Sequence, residues 1–142
     1  NGGKDFPAKM RFLESIERWA AGRAADAPVL LGGDINIART DSDVHPKERK
    51  PTLIGQLPEE RALFERIVSA GLVDVGRALD PGNDQLFTWW APWRNMRQRN
   101  IGWRLDYVLA SQAIFDTVRS CIVQKDLGTS DHAPVVADFT FE

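Results

Sequence analysis

Apolar side chains recur at helical spacing through residues 6–21, at Phe6, Met10, Leu13, Ile16, Trp19 and Ala20, with Pro7 suited to a first turn and Gly22 to a stop. The pattern predicts an amphipathic helix. Residues 28–31 form a continuous apolar run of strand length closed by Gly32 and Gly33, which predicts a buried strand ending in a turn. Periodicity disappears over residues 38–57, where prolines, glycine and charges predict a long surface loop. Pro58 opens a second helix, with Glu59 and Glu60 at the end where the dipole favours acids, Leu63, Phe64, Ile67 and Val68 as its buried stripe, and Gly71 as its cap. After a strong turn at residues 80–84, strand-like runs follow at 86–91, 104–110, 118–123 and 135–141. No regular βαβ alternation appears. The expected class is α+β, with one mostly antiparallel mixed sheet covered by two helices.

Composition narrows the field. At 142 residues, 43% hydrophobic and 27% charged, the chain has the balance of one globular domain rather than of a disordered or fibrous segment. No apolar run is long enough to cross a membrane, and no basic-then-apolar leader is visible. The single cysteine, Cys121, excludes an internal disulfide or a zinc cluster and suits a reducing, cytoplasmic setting. A net charge of −2 gives no global pull toward polyanions. The distribution of charge is more telling: between Gln85 and Leu105 there is no acid, while Arg94, Arg97, Arg99 and Arg104 interleave with Phe87, Trp89, Trp90, Trp93 and Trp103. Trp90 and Trp93 are expected in the core. Because the chain starts at Asn1 and its first element is a helix, a truncated domain is expected.

Three polar groupings interrupt the apolar runs. Gly33-Asp34-Ile35-Asn36 follows the first strand. Alternation on an extended backbone would put Asp34 and Asn36 on one face, where a carboxylate can take a proton from water while an amide donates to an anionic oxygen. The competing reading is an Asx turn that only satisfies backbone N–H groups. Residues 128–134, GTSDHAP, set Asp131 beside His132 at a turn before the last strand, offering an oxygen ligand and an imidazole at one rim, although a solvated surface pair is the commoner outcome. Asp106 lies in a strand pattern between Leu105 and Tyr107, where an acid is costly unless paired. Of the two histidines, His132 is the better partner, because His45 lies in the charged loop and is expected to be exposed.

The ordered set GDIN (33–36), PEER (58–61), GLVD (71–74), NIGWRLDY (100–107) and GTSDHAPV (128–135) resembles the exonuclease III family of abasic-site endonucleases, within the endonuclease/exonuclease/phosphatase superfamily. The likeness spans the whole chain but only the C-terminal half of that family's domain. It implies half of a four-layer α/β/β/α sandwich over residues 1–142, with one apolar sheet face left uncovered. It also implies a Mg²⁺-dependent hydrolase, with Mn²⁺ as an alternative ion, that cuts the DNA backbone 5′ to abasic sites, with 3′–5′ exonuclease and 3′-phosphatase activities. The partner is double-stranded DNA with abasic sites or 3′ blocking groups, no membrane is involved, and the full-length protein is a monomer. By matching positions, Asp34 activates water, Asn36 positions it, and Asp106 and His132 form a pair at the scissile phosphate. Asp131, with Asp34 and Asn36, is placed at the metal. Trp89, Trp103 and Leu105 line the pocket for the extrahelical sugar, while Asn1 contacts a phosphate; Arg94, Arg97 and Arg99 are expected at phosphates on charge alone, since backbone contacts position a duplex without reading its sequence. An early metal-binding Glu and a phosphate-facing Tyr of that family have no counterpart here, so the fragment alone is expected to be inactive. Other phosphoesterases of the superfamily, acting on inositol phosphates or lipids, and a non-catalytic nucleic-acid- or partner-binding remnant are the alternatives.

Overall fold

A computed structural model describes residues 5–141. Helix α1 (Phe6–Ala21) and helix α2 (Pro58–Ser69) occupy the spans set by their apolar stripes. Strand β1 (Leu30–Asp34) and strand β2 (Leu72–Asp74) flank strand β3 (Asp106–Ser111) in a three-stranded antiparallel sheet, order β1-β3-β2. Short helices α3 (Val75–Leu79) and α4 (Gln112–Phe115) follow β2 and β3, and strands β4 (Val118–Val123) and β5 (Val135–Phe139) form a separate antiparallel hairpin sheet. The expected single mixed sheet is thus two sheets, with no parallel pairing among the described residues. The region over 86–91 is not a strand either: it is extended but makes only single bridges, Trp89 to Trp103 and Trp89 to His132.

Strand alternation assigns the faces. Leu31, Tyr107 and Leu109 turn toward Leu13, Leu63, Phe64 and Ile67, so α1 and α2 together cover one side of the three-stranded sheet. The other side carries Asp34, Asp106 and Val108, and β4 and β5 approach it only at β3. Consequently β1 is an exposed edge rather than a buried strand, with Leu30 51% accessible and glycines where side chains would otherwise pack. Apolar side chains are left exposed at the β1 edge, at Leu30, and on the hairpin, at Ile122 and Val136.

The segment over 38–57 is also more than a surface loop. Two 3₁₀ turns, Asp41–Asp43 and Pro46–Glu48, fold it inward, burying Ala38, Val44 and Gln56, whose amide bonds the backbone of Glu48 and Lys50. His45 is half-buried, its Nδ1 accepting from Lys47 N and its ring edge-on to Phe87, far from the role of a site residue. Glu60 does not simply complement the helix dipole. It is fully buried and accepts from Gly55 N (2.5 Å), Leu57 N (3.1 Å) and Lys9 Nζ (2.5 Å), which ties the start of α2 to α1.

Candidate active site

The register of the central sheet brings two carboxylates face to face. Asp34, at the last residue of β1, stands directly across from Asp106, the first of β3. Opposite residues in an antiparallel pair place their Cβ atoms about 5 Å apart, where like charges repel. That arrangement needs compensation, and the neighbouring loops supply it. His132 Nδ1 lies 2.8 Å from Asp106 Oδ2, and Asn36 N donates to Asp34 Oδ1 at 2.7 Å. Potential ligand atoms of Asp34, Asp106 and His132 all lie within 4.8 Å of one another. Desolvation by the cleft walls raises the Asp34 carboxyl above its ordinary value and Asp106 raises it further, while the Asn36 N–H, His132 and Lys9 pull it back down.

Asn36 is at φ +56°, so the chain has left the strand and alternation does not orient it. The Asx turn is present, made by Asp34, and both side chains line one cleft of about 560 Å³. Trp89, Trp103 and Leu105 form its apolar wall, the two indoles meeting edge to face at 5.8 Å. Sequence reasoning missed Lys9, Phe12 and Ile54, which also line it. Lys9 spans from α1 to bond the Asn36 carbonyl (2.6 Å) and Glu60, a convergence across 51 positions that no local motif announces. Phe12 is 64% exposed and lies off the apolar stripe of α1, the one sequence signal that could have found it.

Asp131 stands apart from the cluster of Asp34, Asp106 and His132, and its Oδ2 accepts from Trp89 Nε1 at 3.0 Å. That indole bond, ahead of smaller contributions, lowers its carboxyl below the ordinary value. Trp93 is not core: it is 59% exposed beside Arg94, whereas Trp90 is buried as expected. Arg94 and Arg99 are exposed, free of acidic partners among the described residues. Arg97 is not free for a phosphate. Its guanidinium binds the carbonyls of Lys125, Leu127 and Ser130 and stacks 4.8 Å over Trp90, bracing the loop that delivers Asp131 and His132. Arg97→Ala is expected to cost about 0.5–1.5 kcal/mol, the net worth of hydrogen bonds whose carbonyls water can reach, and to speed amide hydrogen exchange across residues 125–131. Unchanged exchange there would leave the brace without a role. Asn1 lies outside the described residues.

A family model described as the endonuclease/exonuclease/phosphatase family matches residues 3–132. The chain belongs to this family. It is 31% identical over 127 residues to an exodeoxyribonuclease of Bacillus subtilis, covering 89% of this chain and 50% of that protein. Against a DNA-(apurinic or apyrimidinic site) endonuclease of Dictyostelium discoideum it is 34% identical over 113 residues, covering 78% and 31%. Among solved structures, the Neisseria 3′ phosphatase NExo bound to a product DNA hairpin superposes with a TM-score of 0.87 at 28% identity, covering 96% of this chain and 55% of that one. The chain spans about half or less of the length of the curated relatives it matches. The α+β fold with antiparallel sheets agrees with these family members. No helix among the described residues is long and apolar enough to cross a membrane.

Proposed function

We propose that this chain is the C-terminal half of a divalent-metal phosphodiesterase that cuts the DNA backbone on the 5′ side of abasic sites and acts on 3′ blocking groups at the same centre. In this reading its two layers belong to a four-layer α/β/β/α domain completed by preceding sequence. The observation that carries the proposal is the convergence of Asp34, Asp106 and His132 beside an aromatic cleft. An abasic sugar lacks a base, so a pocket walled by Trp89, Trp103 and Leu105 can select it by shape, and extrusion costs least where nothing is stacked. The relatives named above, a nuclease, an abasic-site endonuclease and a 3′ phosphatase, support the same chemistry.

The donor set fits Mg²⁺ or Mn²⁺: two facing carboxylates provide hard oxygen ligands whose mutual repulsion a cation relieves. Asp34 and Asp106 would hold such an ion, whose charge neutralises the phosphorane-like transition state. The remaining work falls to the chain. Asp34, whose carboxylate lines the cleft, takes the proton from the attacking water. Asn36 orients that water and donates to a phosphate oxygen, and His132, held by Asp106 through Nδ1, turns its other nitrogen into the cleft. Arg94 and Arg99 contact the flanking backbone, where charge positions a duplex without reading its sequence.

The test is an abasic duplex incubated with the complete protein. Cleavage on the 5′ side of the lesion, lost on chelation and restored by Mg²⁺, is expected, together with Mn²⁺ binding seen by its paramagnetic signal and lost in Asp34→Ala. Hydrolysis of inositol phosphates or sphingomyelin in preference to abasic DNA would replace this reading with another phosphoesterase of the superfamily. Binding of DNA without any cleavage would leave a non-catalytic module.

A further inference from the structure

Thr88, to which the sequence assigns no role, is completely buried between the two loops that build the site. Its N–H donates to the Trp103 carbonyl at 2.9 Å and its carbonyl accepts from Ala133 N at 2.8 Å, so it joins the segment leading to Asp106 with the one following His132. Its hydroxyl oxygen accepts from Leu105 N (2.9 Å) and Asp106 N (3.0 Å) and lies 2.6 Å from Asp106 Oδ2. A hydroxyl carries a single proton. With two N–H groups pointing at the oxygen, that proton can only be donated to Oδ2. As a carboxylate, Asp106 offers Oδ2 only as an acceptor, and the remaining contact, His132 Nδ1 at 2.8 Å, brings its own proton. The imidazole is left with Nδ1 protonated and with Nε2 as the nitrogen available to a ligand in the cleft.

We propose that Thr88 is a positioning residue for phosphodiester cleavage, fixing the rotation of the Asp106 carboxylate and through it the tautomer and direction of His132. The proposal rests on the reading of the cleft as a phosphodiesterase centre. Thr88 touches no reacting atom. It acts by removing the freedom of the carboxylate that aims the imidazole, as outer partners of catalytic histidines do.

Thr88→Val keeps the shape and deletes the hydroxyl. In the complete protein it is expected to lower kcat on abasic DNA about 10- to 100-fold with KM unchanged, while Thr88→Ser restores most of the rate. In an Asp106→Asn background the Val substitution should cost nothing further. The His132 Nδ1–H resonance, protected from solvent exchange in the wild-type and Ser proteins, should broaden in the Val variant. A Val variant with wild-type kcat, a Ser variant as slow as Val, or an additive loss on top of Asp106→Asn would overturn the proposal. Absence of cleavage by the wild-type protein, with a protected Nδ1–H that Thr88→Val exposes, would sink the phosphodiesterase reading and leave the tautomer assignment standing.

Discussion

Asp34→Asn is expected to lower kcat by about 10²–10⁴-fold, the usual worth of a positioned general base, with little change in affinity for the duplex. The amide preserves the shape and the acceptor for Asn36 N but can no longer take a proton from water. The same substitution should stabilise the metal-free protein. Because Asp34 is held above its ordinary value, the native state prefers it protonated, so its contribution to stability is full below the unfolded carboxylate value and is lost as pH rises through the native one. At neutral pH the wild-type protein therefore bears the cost of an ionised Asp34 opposite Asp106, and the variant does not. Water reaches Asp34 through the open cleft and screens much of this, so the expected gain is only about 1–2 °C in Tm, vanishing in melts recorded near pH 3. A variant with unimpaired cleavage would remove Asp34 from the chemistry. A loss of Tm at neutral pH would show that the facing carboxylates are not in conflict.

Arg104→Met is expected to destabilise the fold by about 2–3 kcal/mol, because it leaves two buried carboxylates with one cation each and removes charge-assisted hydrogen bonds from both. Arg104 binds Asp74 through both terminal nitrogens, reaches Asp43 at 3.4 Å and lies 4.5 Å over the Tyr107 ring, with all three partners buried. Burial works against its charge, yet the bonds to Asp74 and the proximity of Tyr107 and Asp43 more than offset it, and the guanidinium is held above its ordinary value. Arg77 and Arg39 each retain one of the acids, at 2.7 and 3.2 Å, so the network loosens rather than disappears. The segment carrying Trp103, Leu105 and Asp106 is anchored here, with Arg104 N bonded to the Asp43 carbonyl at 2.8 Å. Denaturant titration should show a lower midpoint at unchanged slope. A loss below about 1 kcal/mol, the range of an exposed pair, would mean that the network is decorative.

This ion network shows where sequence reading stops. Arg104 reads in the chain as one more cation in a basic, aromatic stretch, and its burial depends on Asp43 and Asp74, in a loop and at a strand end, where nothing local points to Arg104. Arg97 is the same case, since its three carbonyl partners lie 28 to 33 residues away. A charged side chain carries no local mark of whether it will meet water, an acid or a main-chain oxygen.

Local periodicity and turn chemistry determined what depends on near neighbours. Helix α1 occupies the span drawn by its apolar stripe, β4 matches its apolar run residue for residue, and α2 starts at Pro58. A costly acid in the run that becomes β3 pointed correctly to a partner, and the partner is His132. What only the tertiary structure decided is anything set by register or by distant segments. The facing of Asp34 and Asp106, the departure of Asn36 from the strand, the diversion of Asp131 to Trp89, the exposure of Trp93 and the hydroxyl of Thr88 beneath Asp106 all depend on which segments meet. The physical reason is range: backbone preference and hydrophobic alternation act over a few residues, whereas a site of this kind is assembled by pairing and packing between parts of the chain that carry no record of one another.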